Sequence, residues 1–511
     1  MLEPRLEHQT TKIRQLIDDY RSGKIVIPEF QREYVWKPGK APKLIDSLYN
    51  KYPISSLLLW ESNEAPRSRR KNPRPSTGFV SWLIDGQQRV ITLARVLSGD
   101  EGIDVVFNPD EPEFRLANAR TMRERIWFRV AELWDDDLYL QLRRNLDASS
   151  VAEKREKKFE EVRRILDYEV PLVKMVDHSF DNAVNAFTRI NTLGVRLKRE
   201  DIESAYVAAK HTGFIADEVV PFLFELKSKG FNRMNIMHLF RACAFIALPD
   251  GRNRTPLHKL DRNVINSAWN QTKKATDQAI GLLRSELGLV NMDVIWSGAL
   301  IVPVIVLCAI SKPRERDSRG IAAWVALAAL LHRYSRSSDT YLDQDLKACR
   351  KSDPIGALLS NLRQIRAVLE ANPLDFSGSL LDKSGLLAMY IACLNRGILD
   401  FYTESKLLLQ SNINRHHILP RAQFIPDERD MSDCIANIAF ISDDINKSIG
   451  QSGPEVYLKQ LKTKVLDSQC IPKDENLWQI ERAEDFWQER RLLLADSFNE
   501  FVRNALPQRK L

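Results

Sequence analysis

Cysteine is scarce in this sequence. Only 6 of the 511 residues are cysteines, and they are widely spaced, with none in a CxxC pair. This excludes a disulfide scaffold and indicates free thiols in a reducing compartment. The first residues, MLEPRLEHQTTKIRQL, also lack the apolar core of a secretory signal. We therefore expect a cytoplasmic protein.

Long hydrophobic runs are missing as well. The segment VIWSGALIVPVIVLCAI at 294–310 falls short of the roughly 20 apolar residues needed to span a bilayer, and Pro303 interrupts it. The next apolar run, at 321–331, is shorter still. We predict that both are buried helices, with a membrane hairpin as the alternative.

What the sequence does have is an ordinary globular composition, with 44% hydrophobic and 28% charged residues. This excludes a fibrous protein and a mostly disordered chain. The length suggests about three domains. The net charge of +7 permits a polyanionic partner without requiring one.

The pattern of apolar residues divides the chain into three regions. A helix is predicted over residues 6–20, followed by strand-like runs such as FVSWLI and EVPLVKMV that alternate with helical segments. From about residue 181 to 399 the pattern is almost entirely helical, and a mixed segment with a long final helix follows. We predict domains at 1–212, 213–380 and 381–511.

A basic, proline-rich segment lies between two of the predicted strands. Three prolines keep it extended and unsuited to a helix or a central strand. It is either a solvated loop or an arm that contacts phosphates. Its cations are Arg67, Arg69, Arg70, Lys71 and Arg74.

The motif WLIDGQQRVITL predicts a strand, a sharp Asp-Gly turn and a helix. At such a helix start, unpaired N–H groups and the helix dipole attract anions. Asp85 could bind a divalent metal and Arg89 a phosphate. The motif indicates a nucleotide site without a Walker A loop, although a capped helix without a ligand also fits. The candidate ligands are Asp85, Gly86, Gln87, Gln88 and Arg89.

Three more motifs accompany this one: IPEFQREYVW, LIDSLYNKYPISSLLLW and FTRINTLG. In their order and spacing, the four motifs resemble the GmrS-type domain of the GmrSD restriction endonucleases over residues 10–210. The resemblance implies a ParB/sulfiredoxin-like α/β fold that binds and hydrolyses nucleoside triphosphates. It adds Gln31 and Arg32, from the first motif, and Asn191, from the last, to the nucleotide-binding residues.

Two adjacent histidines, His416 and His417, occur in NRHHILPRAQF. Neighbouring residues on a strand point to opposite faces, so one imidazole can bind a metal while the other faces a substrate. Asn437 and Asn446 follow in IANIAFIS and DDINKS. The group indicates a single-metal nuclease with a histidine as general base and an asparagine that orients it. A chance grouping of surface histidines and turn asparagines fits the spacing as well.

The order HHILP, NIAFIS, NK resembles the GmrD-type HNH nuclease domain of the same family over residues 380–505. The resemblance implies a ββα-metal fold in which His417 is the general base and Asn437 orients it. It also implies that His416 and Asn446 are the metal ligands. An acidic residue is frequent in the family at the first of these positions and a histidine at the second. Two neutral ligands should favour Mn or Ni over Mg.

Together these features predict a mostly helical α+β protein: a ParB/sulfiredoxin-like α/β domain, a helical middle and a C-terminal HNH domain. The family resemblance implies antiphage, NTP-regulated restriction that nicks or cleaves modified double-stranded DNA, such as DNA with glucosylated hydroxymethylcytosine or, in a related branch, phosphorothioates. The alternatives are a DNA-binding subunit with a degenerate nuclease site and an RNA-targeting HNH toxin. The implied cofactors are a divalent metal (Mg, Mn or Ni) and a nucleoside triphosphate. No membrane partner is expected, and a homodimer is compatible with these features.

Overall fold

Strands and helices alternate in the first part of the chain and give way to helices further on. The computed structural model describes residues 3–28, 34, 36–62, 80–124, 126–145, 150–193, 199–211, 213–248, 256–335, 338–407, 413–426, 429–450 and 452–507. The chain forms two units, Met1–Val219 and Val220–Leu511. The predicted ligands Gln31 and Arg32 and the basic segment at 67–74 lie outside the described residues.

A mixed five-stranded sheet is the centre of the first unit. The strands of this unit are β1 (Arg5–Lys12), β2 (Ile25–Val26), β3 (Leu57–Ser62), β4 (Val80–Asp85), β5 (Val105–Asn108), β6 (Glu113–Leu116), β7 (Phe128–Arg129) and β8 (Glu169–Val176). The large sheet has the order β1-β8-β3-β4-β2, and a small one has the order β6-β5-β7. The runs LLLW in β3 and WLI in β4 are buried, as expected of central strands covered on both faces.

Eight helices accompany the two sheets in the described part of this unit. They are α1 (Ile13–Arg21), α2 (Lys40–Tyr49), α3 (Gln87–Leu97), α4 (Val130–Trp134), α5 (Asp136–Arg144), α6 (Ser150–Arg163), α7 (Phe180–Leu193) and α8 (Arg199–Lys210). Apolar residues of α1, α2 and α3 pack with those of the central strands in one buried cluster. The α/β character predicted for this region is confirmed, while its ParB-like topology stays a prediction.

The predicted helix at 6–20 is wrong in its first half. Residues 5–12 form the edge strand β1, which pairs antiparallel with β8, and the helix begins only at Ile13. The sequence RLEHQTTK is polar and exposed, as edge strands commonly are. Leu6 matched a helical spacing by coincidence, since its side chain is 56% exposed.

Helices dominate the second unit. They are α9 (Val220–Ser228), α10 (Ile236–Ala247), α11 (Arg262–Leu287), α12 (Ile301–Ile310), α13 (Ser318–Leu330), α14 (Ser338–Ala348), α15 (Pro354–Arg363), α16 (Lys383–Asn395), α17 (Asp443–Ile449), α18 (Pro454–Tyr457), α19 (Thr463–Ser468) and α20 (Ala483–Ala505). The second part of the run at 294–310 forms α12, its first residues 294–297 are not helical, and all but the last residue of the run at 321–331 lies in α13; both helices are almost wholly buried. Across the described residues, none of the helices has the length and apolarity to cross a membrane.

A two-stranded hairpin interrupts these helices near the end of the chain. β9 (Ile413–His417) pairs antiparallel with β10 (Ile438–Ser442), and α17 follows β10 directly. Apolar residues of the hairpin, α17 and the start of α20 form one buried cluster. The predicted domain boundary near residue 380 lies inside this unit, where α16 packs against α20.

Candidate active sites

The hairpin and α17 bring the predicted nuclease residues together. His416 lies opposite Ala439 and His417 opposite Ile438 in the antiparallel register. Because side chains alternate along a strand, His416 points into the unit and is 5% exposed. The neighbouring His417 points the other way, with a quarter of its side chain exposed. The predicted division of labour between the two imidazoles is therefore geometrically possible.

His416 lies between a tyrosine and an asparagine. Its Nε2 is 3.2 Å from the Tyr457 hydroxyl, and its Nδ1 is 2.9 Å from Oδ1 of Asn446. The Tyr457 hydroxyl donates its proton to the backbone oxygen of Ile418 at 2.7 Å. It can therefore only accept from His416, so Nε2 carries the imidazole proton.

This tautomer leaves a lone pair on Nδ1 of His416. Burial lowers the pKa of His416 to about 4, so the imidazole is neutral and has one proton to give. With the Asn446 amide oriented as in the structure, Nδ1 and Oδ1 are two facing acceptors. A cation held by both atoms fits this arrangement, whereas a hydrogen bond between them would lack a proton.

No larger metal-binding group accompanies these two atoms. Within the described ranges, no three His, Cys, Asp or Glu side chains are grouped to hold an ion. His416 and Asn446, the neutral pair that the HNH resemblance implies, could hold a metal here through Nδ1 and Oδ1, and their role as ligands stays a prediction.

His417 contacts an aspartate that the sequence analysis missed. Its Nε2 lies 2.8 Å from Oδ1 of Asp433, whose Oδ2 is 3.5 Å from the guanidinium of Arg421. Asp433 belongs to the acidic loop between β9 and β10. Since several acids occur in DERDMSD, no spacing rule singled this one out.

Asn437 is buried and holds the loop that contains Asp433. Its Oδ1 accepts from Leu419 N at 2.9 Å, and its Nδ2 donates to Leu419 O at 3.0 Å and to Ser432 O at 2.9 Å. Its own carbonyl accepts from Ile418 N at 2.7 Å. Asn437 thus fixes the chain on both sides of the loop, so its effect on His417 is indirect.

In the first unit, the Asp-Gly turn starts α3 at the predicted residue. Gly86 has φ +96°, and a Cβ there would come within 2.0 Å of Leu57 Cδ2, so both backbone and space require glycine. Gln87 and Gln88 are buried, and Gln88 Oε1 accepts from Trp36 N at 3.2 Å. The start of α3 is therefore in contact with Trp36, the last residue of IPEFQREYVW.

The side chain of Arg89 forms hydrogen bonds with the loop before β3. Its guanidinium donates to the carbonyls of three consecutive residues and to a carboxylate. The acceptors are Ile54 O at 2.5 Å, Ser55 O at 2.7 Å, Ser56 O at 3.0 Å and Asp85 Oδ2 at 3.2 Å. Burial lowers the pKa of Arg89, against the opposite effect of Asp85. A phosphate would have to share or replace these acceptors.

The other motifs of the N-terminal resemblance are partly described. Tyr34, a residue of IPEFQREYVW, contacts α3 through a 2.9 Å hydrogen bond between its hydroxyl and Thr92 Oγ1. α7, which carries most of the motif FTRINTLG, packs against β4, the strand that ends at Asp85. Asn191 lies in the last turn of α7, and only its backbone is described.

Fold and sites together define a two-part protein, with an α/β unit bearing an Asp-Gly helix start and a helical unit bearing a histidine ββα site. Residues 13–208 match the model of the GmrSD restriction endonuclease N-terminal domain. The match assigns this N-terminal region, and no more of the chain, to the GmrSD N-terminal domain. The chain is also similar to an uncharacterized protein of Methanocaldococcus jannaschii, with 21% identity over 89% of this chain and 87% of the relative.

The family match confirms the resemblance predicted for the N-terminal region. The match ends at residue 208 and leaves the HNH resemblance of the C-terminal region as a prediction. The roles of the individual residues stay predictions in both units.

Proposed function

We propose that this protein is an NTP-regulated restriction endonuclease that cleaves modified double-stranded DNA at the ββα site. The membership of residues 13–208 in a restriction endonuclease family supports the restriction function. The nuclease assignment rests on one observation: His416, His417 and Asn437 converge on one hairpin, with Asn446 on the next helix.

His417 is the general base in this proposal. An ionised Asp433 accepts hydrogen bonds and donates none, so Nε2 of His417 carries the proton and Nδ1 keeps a lone pair. Nδ1 would take a proton from the water that attacks the phosphodiester. Asp433 would hold the ring in this tautomer and favour the imidazolium that forms.

His416 and Asn446 would hold a divalent metal. A metal bound there would supply Lewis-acid stabilisation of the negative charge that develops on the phosphoryl group. Tyr457 would fix the tautomer of His416 by accepting a hydrogen bond from Nε2. Metal-binding histidines commonly have such a hydrogen-bond partner on the ring nitrogen that does not bind the metal. The neutral ligand pair favours Mn or Ni over Mg.

A DNA-binding subunit with a degenerate nuclease site is the second candidate. The observation that favours it is the same neutral pair, because no group of three or more His, Cys, Asp or Glu side chains is placed to hold an ion among the described residues. Such a protein would bind DNA in response to a nucleotide but would not cut it.

The deciding experiment is digestion of phage DNAs that carry different base modifications, with Mn²⁺ or Mg²⁺, with and without each NTP. We expect Mn²⁺-dependent cleavage of at least one modified DNA and a change in its rate on adding a nucleotide. Nucleotide-dependent binding without cleavage would favour the degenerate site. In a parallel incubation of the protein with tRNA, degradation of the tRNA while the phage DNAs stay intact would favour an RNA-targeting toxin.

Asp433→Asn should slow DNA cleavage at saturating DNA at least ten-fold, but by less than the full 10²–10⁴ of a general base. The amide can donate to Nε2 and so stabilise the wrong tautomer of His417. DNA affinity should not change. The matched control is Asp430→Asn, in the same loop but 96% exposed at its side chain. Equal rates for the two variants would remove Asp433 from the mechanism.

Arg89→Ala should weaken NTP binding by roughly 1.5–3 kcal/mol, the range for a charge-assisted hydrogen bond. Titration calorimetry measures the affinity, and a melting curve records the loss of the loop contacts. Arg155→Ala is the control, since Arg155 is a partly buried arginine paired with Asp110 in the same unit. A lower melting temperature with unchanged NTP affinity would restrict Arg89 to holding the loop.

A further inference from the structure

Two arginines of the second unit act electrostatically on one lysine, and none of the three cations has a carboxylate partner among the described residues. They are Arg233, Lys383 and Arg415, none of which forms an ion pair with a described residue. Other cations of this unit do have such partners, as Arg366 has in Asp375. Unpaired like charges that converge are costly unless an anion binds them.

Arg415 shares a face with the proposed base. It lies two residues before His417 on β9, so both side chains leave the strand on the same side. Two residues of a strand span about 6.6 Å, close to the spacing of adjacent phosphates along a nucleic-acid strand. Arg415 is exposed, and it makes no hydrogen bond with its side chain among the described contacts.

Backbone pairing places Lys383 beside the same loop. Leu380 N donates to Asp433 O at 2.9 Å, and Ile435 N donates to Gly378 O at 2.8 Å. This short ladder ties the segment before α16 to the residue that contacts His417. Lys383 is the first residue of α16, where the helix dipole adds positive potential.

Arg233 approaches the same helix start through a chain of contacts. Its Nη1 donates to the carbonyl of Trp296 at 3.1 Å, and the Trp296 ring lies 6.4 Å from the His332 ring. His332 Nδ1 is 3.3 Å from the hydroxyl of Ser384, the neighbour of Lys383. Burial, then Arg233 and Arg415, lower the pKa of Lys383, and Asp293 alone raises it.

The nearby acids are otherwise engaged. Asp382 caps α16 by accepting from Ser384 N at 3.0 Å, Asp430 pairs with Arg421, and Asp433 contacts His417. Asp293 is the one acid that raises the pKa of Lys383.

We infer that Arg233, Lys383 and Arg415 form a phosphate-binding surface that holds the DNA backbone beside the bond cleaved at His417. This inference rests on the proposed nuclease function and names the contacts by which the site would hold its substrate. The surface would contact phosphates and not bases, so its contribution to DNA affinity should be the same for all DNA sequences.

The test compares wild type with the triple variant Arg233→Gln, Lys383→Gln, Arg415→Gln in DNA binding across a salt titration. The slope of log K against log salt should fall by about 0.9 for each lost contact, about 2.7 in all. The affinity gap between the two proteins should then shrink about 40-fold between 50 and 200 mM salt. The control variant changes three exposed, unpaired cations of the same unit: Lys274→Gln, Arg314→Gln and Lys351→Gln.

If the wild-type protein cleaves DNA and the triple variant binds DNA with an unchanged slope of log K against log salt, the phosphate-binding surface is wrong. The nuclease proposal would then still stand. A wild-type protein that cleaves no DNA would instead overturn the nuclease proposal and, with it, the surface. If the triple variant does not fold, Lys383→Gln with Arg415→Gln should lower the slope by about 1.8. A slope that falls for tRNA and not for duplex DNA would assign the surface to RNA.

Discussion

His417→Ala should slow DNA cleavage by about 10²–10⁴, the contribution of a general base. Alanine leaves nothing at this position that can take a proton from water, while His416 on the opposite face of β9 keeps its contacts with Asn446 and Tyr457. Metal-dependent DNA binding should therefore survive. The measurement is the single-turnover rate of nicking on supercoiled modified DNA with Mn²⁺.

NTP hydrolysis is the internal control for His417→Ala. The candidate nucleotide residues belong to the unit that ends at Val219, whereas His417 belongs to the other unit. The hydrolysis rate per molecule should be unchanged in the variant. His258→Ala, a histidine of the same unit outside the hairpin, should cleave at the wild-type rate. A His417→Ala protein that nicks as fast as wild type would show that another group is the base.

Local sequence patterns predicted the elements that position both sites. α3 begins at Gln87 as predicted, because an Asp-Gly turn and an apolar helical repeat specify the same start. β8 matches the run EVPLVKMV, in which the buried Val170 and Leu172 alternate with exposed residues, the period expected of a strand with one covered face. The alternation of adjacent residues on a strand was enough to separate His416 from His417.

The sequence did not predict contacts that arise from loops. Asp433 contacts His417 because a long loop returns to the strand, and loop paths carry no periodic signal. Arg89 binds the carbonyls of Ile54 to Ser56, groups that every residue type presents equally. β1 was missed because a polar edge strand lacks the apolar pattern that marks buried strands.

The same loop explains why Asn437 should have a large effect without touching the base. Its amide makes three buried hydrogen bonds with the backbone of Leu419 and Ser432. Alanine would leave one N–H and two carbonyls unpaired in the interior. We expect Asn437→Ala to lower the free energy of unfolding of this unit by on the order of 3 kcal/mol.

Cleavage by Asn437→Ala should fall further than stability alone explains, because the loop would no longer hold Asp433 against His417. The matched control is Asn499→Ala, which removes a buried amide bonded to Ala371 N at 2.7 Å and Ala371 O at 2.9 Å. Denaturant melts should show losses of similar size for both variants. Cleavage measured well below both melting transitions should be lost in Asn437→Ala and kept in Asn499→Ala. Equal cleavage in the two would mean that the ordered loop is dispensable and that Asn437 serves stability alone.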